Sequence, residues 1–289
     1  MAWNLNGDVV RDGDLAQLVG LSHKHFIIRV RSGEVLHTHR GIVNHDDLLG
    51  IPWGSEISSH NGRPFYILEP SIADLLRDLP RSTQILYPKD VGFILMTMGI
   101  GPGQHIVEAG TGSGGLTGVF AYMVGEKGHI TTYEVRQEFQ SLAIKNITRL
   151  DLANRVTFIL RDINEGFTVQ GADALFLDLP NPFDYMHLVR KALKPGGFFG
   201  CILPTVNQVT KLLISLRQNG FAFIDVCEIL LRYYKPEPDR LRPVDRMVSH
   251  TGYLIFARPI IPICSLCDDN GSTFNEDDMD ESDDRIGEI

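Results

Sequence analysis

The chain has 289 residues, 43% of them hydrophobic, which is enough for one large or two modest domains with a real core. No run approaches the roughly 20 apolar residues of a transmembrane helix, and residues 1–8 lack the basic start and apolar run of a signal peptide, so a cytoplasmic protein with no membrane partner is expected. The net charge of −9 argues against a nucleic-acid partner only as a total: residues 268–289 hold ten acids and one Arg, and the body before them is neutral and free to carry a basic face.

In chain order, residues 1–68 read as a small β domain, with short strands at 26–30, 34–38, 41–44 and 65–68 between turns such as Arg-Ser-Gly (31–33) and His-Asn-Gly (60–62). Residues 69–103 form a helical linker. Ile72, Leu75, Leu76 and Leu79 share one face of its first helix, and a second helix, 90–98, is expected to be capped by Asp90. Strands and helices then alternate through 104–260. Strands are expected at 104–109, 128–134, 155–160, 173–177, 197–203, 221–230 and 251–258, and helices at 115–124, 136–150, 183–193 and 206–219. Alternation predicts an α/β fold, a Rossmann-like, mostly parallel sheet with helices on both faces. The last two strands are joined by a polar, proline-containing loop without a helix, so they should pair antiparallel at one edge. Lys194-Pro-Gly-Gly197 is the expected turn into the strand before them. Residues 261–289 form an acidic tail whose composition predicts disorder.

Of the four cysteines, Cys201 and Cys227 lie in apolar strands as ordinary buried thiols. Cys264 and Cys267 are half a zinc knuckle without a second pair nearby, and no metal site is expected.

The most informative stretch is Val107-Glu-Ala-Gly-Thr-Gly-Ser-Gly-Gly-Leu-Thr117, a glycine loop between a strand and a helix. Gly110, Gly112 and Gly114 carry no Cβ and let backbone approach a ligand closely. Gly115 also completes the nicotinamide-type spacing, so the loop alone does not separate a nicotinamide dinucleotide from an adenosine or a charged amino-acid moiety. The acids that follow weigh against a pyrophosphate. Glu108, Glu134, Asp162 and Asp178 each stand at or near the end of a successive strand, and in a parallel sheet all four would face one crevice. Acids there repel a pyrophosphate and favour a cation.

These residues resemble the class I S-adenosylmethionine-dependent methyltransferases, and within them the tRNA (adenine-N1)-methyltransferases that act on position 58 of the T-loop. The motifs carrying the resemblance are Gly110-Thr-Gly-Ser-Gly-Gly-Leu-Thr117, Gln84-Ile-Leu-Tyr-Pro-Lys-Asp90, Leu177-Asp-Leu-Pro-Asn-Pro182 and Arg246-Met-Val-Ser-His-Thr-Gly252, in the family's order within residues 10–258. The first indicates only a methyltransferase. The second and fourth, flanking the cofactor domain, narrow it. Phe183 stands where a Trp often follows the proline, and the acidic tail is a second departure.

The resemblance implies S-adenosyl-L-methionine as cofactor, tRNA as substrate and a homotetramer. It places Glu108 with Gly110, Thr111, Gly112, Ser113, Gly114, Gly115, Leu116 and Thr117 at the methionine portion, Glu134 at the ribose hydroxyls, Asp162 and Ile163 at the adenine, and Gln84 to Pro88 along the cofactor's side. Asp178 is the expected catalytic carboxylate, accepting a hydrogen bond from the adenine amine and opposing the charge that N1 acquires. The base must leave its stack, and Tyr87, Phe183 and His250 are the candidates to receive it. Arg246, with Arg232, Lys235, Arg240 and Arg242, is the candidate phosphate contact. The rival readings are a methyltransferase of the same fold acting on a protein, of isoaspartyl type, or on a small molecule, and a non-catalytic tRNA-binding subunit. A nicotinamide dehydrogenase is disfavoured, because no hydride-transfer constellation accompanies the loop.

Overall fold

The computed structural model of the protein describes residues 7–21, 25–82 and 85–261. Gln84, the Cys264 and Cys267 pair and the acidic tail lie outside the described residues.

Strands β1 (Leu15–Gly20), β2 (His25–Arg29), β5 (Glu56–Ser58) and β6 (Pro64–Leu68) form an antiparallel sheet in the order β2-β1-β6-β5, and β3 (Val35–Thr38) pairs with β4 (Gly41–Asn44) as a hairpin. β1 had no signature in the sequence. It is buried nearly throughout, Gln17 included, so polar and apolar residues do not alternate along it. Leu18, Phe65 and Ile67 fill this sheet's own core, whereas Leu15 and Ile27 join the core of the large sheet. The guanidinium of Arg149 donates to the Ile27 carbonyl at 3.1 Å and pairs with Asp78, tying the small domain to the rest.

Helix α1 (Ile72–Asp78) opens with a capping box: the Ser71 side chain accepts from the Asp74 amide, and Asp74 accepts from the Ser71 amide. Helix α2 (Pro88–Thr97) starts two residues before its expected position, with Tyr87 as N-cap. Proline at the first helical position needs no N–H and is already set to a helical φ. Asp90 is therefore not the cap. It lies buried in the first turn, with its carboxylate on Lys89.

The large sheet alternates as expected: β7 (His105–Ala109), α3 (Gly115–Val124), β8 (His129–Glu134), α4 (Gln137–Arg149), β9 (Val156–Leu160), β10 (Ala172–Leu177), α5 (Met186–Ala192), β11 (Leu193–Leu203), α6 (Val206–Gln218) and β12 (Phe221–Cys227). The short pair β13 (Tyr234–Lys235) and β14 (Arg242–Pro243) precedes β15 (Tyr253–Pro259). The order is β12-β15-β11-β10-β7-β8-β9. The last long strands do pair antiparallel, but the strand that opposes the sheet is β15, lying one place in from the edge between β11 and β12. β11 begins earlier than expected and runs through Lys194-Pro-Gly-Gly197, with a register shift against β10.

Period-two alternation builds both faces. Ile106, Ile130 and Phe176 point into one buried cluster and Val107, Tyr133, Leu175 and Leu177 into the other. With both faces covered, the carboxyl ends of β7, β8, β9 and β10 are the one place where polar side chains can gather over the sheet.

Candidate active site

The glycine loop leaves β7 through Gly110, at φ +96°, and turns into α3 through Gly114, at φ +81°, both in the left-handed region that favours glycine. The Gly110 and Thr111 amides donate to the Tyr133 carbonyl at 3.0 and 3.3 Å, and the Gly112 amide donates to Glu134 Oε2 at 3.0 Å. Ser113 is held from behind, its carbonyl accepting from the Asn146 amide at 2.8 Å. Gly115 and Leu116 pack inward, and a Cβ on Gly115 would press against Leu76.

Glu108 stands behind the loop and not on the crevice wall. It is buried, and its Oε2 accepts from Thr117 at 2.5 Å and from Thr132 at 2.8 Å. Since Thr132 donates to Glu108, the hydroxyl of Thr111, 2.6 Å away, donates to Thr132 in turn. A chain of hydrogen bonds thus links the loop to a buried carboxyl. Burial pushes that carboxyl up to about 7, against the lowering effect of the two threonine hydroxyls.

In front of the loop lies a crevice of about 590 Å³, lined by Gly110, Gly112, Glu134, Asp162, Ile163 and Asp178 among others. Three of the four strand-end acids therefore meet here. Glu134 is aimed by its own surroundings: Oε1 accepts from the amides of Val135 at 3.0 Å and Arg136 at 3.1 Å, while Oε2 takes the Gly112 amide. An ionised carboxylate has about four acceptor positions, so Oε2 retains capacity for a hydroxyl. Asp162 accepts the Asn164 amide at 2.9 Å, holding its carboxylate at the rim beside Ile163. Arg136, Asn181 and Tyr185 also line the crevice, and the sequence had not singled them out. Their signal was position alone, since each follows a strand-end acid by two to seven residues in the loops that ring the crevice.

Asp178 belongs to two cavities. A smaller one, about 210 Å³, opens on its other side between Tyr87, Asp90, Ile202 and Thr251. Burial pushes the Asp178 carboxyl up to about 6. By surface area the residue is nonetheless exposed where the two cavities meet, and that exposure screens it, so its electrostatic effect is smaller than a dry site would give. Tyr87 borders this smaller cavity and a neighbouring one of about 330 Å³ that Arg246 lines. His250 stands outside both. Its Nδ1 lies 2.8 Å from Glu228 and its Nε2 3.1 Å from the Pro204 carbonyl, two acceptors that raise its pKa by holding both ring nitrogens as donors. Phe183 is set apart as well, packed against the core with the Lys211 ammonium 5.3 Å from its ring centroid. Arg232, Arg240, Arg242 and Arg246 are exposed on the segment 228–250, while Lys235 pairs with Asp245 at 2.8 Å. Among the described residues no cluster of His, Cys, Asp and Glu could hold a metal ion, and no helix is long and apolar enough to cross a membrane.

The two cavities meet at one carboxylate, an acid-edged crevice on one side and a smaller pocket on the other. Comparison with known proteins places the chain in a family. Residues 65–241 match the family of the tRNA methyltransferase complex GCD14 subunit, and residues 9–57 match the TrmI-like N-terminal family. TrmI of Methanocaldococcus jannaschii, a tRNA (adenine(57)-N(1)/adenine(58)-N(1))-methyltransferase, is 34% identical over 267 residues, covering 83% of this chain and 93% of its own. TrmI of Thermus thermophilus, a tRNA (adenine(58)-N(1))-methyltransferase, is 31% identical over 234 residues, covering 81% and 92%. Among solved structures, a SAM-dependent O-methyltransferase of Thermotoga maritima superposes with a TM-score of 0.81 at 42% identity, covering 89% of this chain and 96% of its own. The tRNA methyltransferase TrmI of Aquifex aeolicus superposes with a TM-score of 0.74 at 33% identity, covering 88% and 100%.

Proposed function

The chain belongs to the family of the tRNA methyltransferase complex GCD14 subunit, and on that premise we propose how its residues carry methyl transfer from S-adenosylmethionine to N1 of adenosine 58 in tRNA. The observation that carries the reading is Asp178, the one acid that lines both the large crevice and the smaller cavity.

The crevice fits the cofactor on its own chemistry. It is edged by Glu134, Asp162 and Asp178, which suit a ligand of net positive charge, and its glycine loop turns the Gly112 amide onto Glu134, helping to fix that carboxylate for a ribose. When bound, S-adenosylmethionine supplies an electrophilic methyl group on a sulfonium. Glu134 accepts the ribose hydroxyls, and Asp162 with Ile163 borders the adenine. The loop from Gly110 to Thr117 borders the methionine end, which Glu108 reaches through Thr132 and Thr111. Ile85 and Leu86, which line the smaller cavity, close the side.

On the acceptor side, Tyr87 forms a wall of the smaller cavity for the flipped base, and Asp178 accepts a hydrogen bond from its amine. That bond strengthens as N1 becomes cationic, so it acts on the transition state more than on the bound substrate. Arg246 lines the neighbouring cavity beyond Tyr87, where the strand flanking the base would place its phosphates, and Arg232, Arg240 and Arg242 extend the basic face. His250 positions the segment that follows Arg246, and Phe183 supports the loop after Asp178 from the core side.

The same segment exposes Leu230, Leu231, Tyr233, Tyr234 and Met247, an apolar surface of the sort a subunit interface covers. It supports self-association, which we read, with the family resemblance, as a homotetramer; the cytoplasmic location rests on the proposed activity alone. The test of the whole reading is tritiated methyl transfer to an unmodified tRNA transcript with nucleoside mapping, run beside light scattering of the protein. Label in 1-methyladenosine at position 58 and a mass of four chains are expected, whereas label on oxygen or on protein would overturn it.

A further inference from the structure

The smaller cavity contains a second carboxylate whose placement the reaction has not yet explained. Asp90 is fully buried at the start of α2. Its Oδ1 accepts from Lys89 Nζ at 2.7 Å. The same ammonium donates to the Ile229 carbonyl at 2.8 Å and to Thr251 Oγ1 at 2.6 Å. An ammonium has three N–H bonds, so Lys89 has none left for the other oxygen of Asp90. That oxygen, Oδ2, is buried without a hydrogen-bond partner in a residue that lines the cavity. An orphaned buried acceptor costs stability unless something docks against it.

Resting on the functional reading above, we infer that Asp90 is a specificity-determining residue of the acceptor pocket, its Oδ2 accepting a hydrogen bond from the exocyclic amine of the flipped adenine. Asp90 and Asp178 both line one small cavity, with Asp90 Oδ2 buried at its wall, and the ligand that satisfies both carries two N–H bonds on one edge. The adenine amine is such a group. Guanine and hypoxanthine put an oxygen at that position, which two acceptors repel. The two acids divide the work. Lys89 neutralises Asp90, so this carboxylate selects and orients the base, whereas Asp178 has no such counter-ion and opposes the charge that develops at N1.

The experiment compares two tRNA transcripts, one with adenosine and one with purine riboside at position 58; purine riboside lacks the amine. Dissociation constants are measured with S-adenosylhomocysteine present, for the wild-type protein and for Asp90→Asn. Asparagine would offer its oxygen to Lys89 and turn an N–H into the cavity. Asp90→Asn is expected to weaken the adenosine transcript by roughly tenfold or more and the purine riboside transcript by less than about twofold. Equal losses on both would make Asp90 a structural residue and overturn the inference. Should Asp90→Asn not fold, as judged by melting and cofactor calorimetry, Lys89→Gln/Asp90→Asn removes both charges together and is held to the same criterion. Should neither fold, Asp178→Ala serves: it should still prefer adenosine over purine riboside, and loss of all preference there would sink the idea. The outcomes separate from those of the functional reading. Wild-type protein that methylates neither tRNA position 58 nor any other adenosine refutes that reading, whereas normal wild-type methylation with equal losses refutes only the role of Asp90.

Discussion

The backbone carbonyl of Asp178 occupies the space that a Cβ on Gly110 would need. The glycine loop and the strand end that carries Asp178 are thus in direct contact, and the Asp178 amide donates to the Ala109 carbonyl at 2.9 Å to complete the join. A side chain at position 110 would have to push one motif away from the other, at a residue whose φ of +96° already disfavours it. Gly110→Ala is expected to lower stability by roughly 1–3 kcal/mol and to abolish measurable cofactor binding. Melting and calorimetry together check it, and cofactor affinity close to that of the wild type would show that the contact is slack.

Asp178→Asn separates chemistry from binding. Asparagine keeps the size and an acceptor for the adenine amine, but no charge to oppose the cation forming at N1. Loss of one preorganised electrostatic contact of this sort costs about 10² to 10³ in rate. Single-turnover methylation at saturating cofactor should fall by that order, with cofactor affinity much less changed. Glu134→Ala should show the reverse balance, since its carboxylate shapes the loop and lines only the crevice. Near-normal turnover in Asp178→Asn would reduce Asp178 to an ordinary strand-end acid.

The sheet and its crevice were legible because their signals are local. Each strand-end acid closes or closely follows a short strand, and the glycines mark a turn where backbone must come close. Glu108 was legible as an acid but not as a buried one, because its depth is set by Thr117 and Thr132, 9 and 24 residues away. Phe183 and His250 were placed by motif, and their partners, Lys211, Glu228 and the Pro204 carbonyl, are long-range contacts that no spacing reveals. Asp90 read as a helix cap because Asp is a good cap residue. Proline at position 88 started the helix earlier and left that carboxylate buried in the first turn, beside the smaller cavity.

His250 bridges β15's entry to the end of β12 through Glu228 and to the end of β11 through the Pro204 carbonyl. Both partners accept, so the charged imidazolium is the favoured form and its pKa is raised, chiefly by Glu228. Stability from this bridge is present at low pH and is lost as pH rises through the raised value of the folded state. Glu228→Gln should lower the midpoint of the His250 titration, followed by its ring resonances in NMR. An unchanged midpoint would mean that the bridge is not formed in solution.

Glu108 gives the same kind of linkage at a buried carboxyl, with a consequence for activity. Its pKa is raised from 4.5 to about 7 by burial, so the folded protein holds a proton that the unfolded chain releases at lower pH. Stability from that proton is complete below about pH 4.5 and declines as pH rises towards and through 7. The penalty at pH 8 is at most about 3 kcal/mol. Glu108→Gln keeps an oxygen for Thr117 and Thr132 and carries no charge to bury, so the variant without cofactor should melt higher than the wild type at pH 8 and little differently at pH 5. Cofactor affinity should move the other way. A negative charge behind the loop favours a cationic ligand in front of it, so the variant forfeits that attraction at pH 8, where the wild-type carboxyl is ionised, and hardly at pH 5, where it is protonated. Melting curves at the two pH values, with and without S-adenosylmethionine, test both halves at once. A variant less stable than the wild type at pH 8 would show that the carboxylate is held there by more than two threonine hydroxyls, and would move Glu108 from supporting the loop to anchoring the fold.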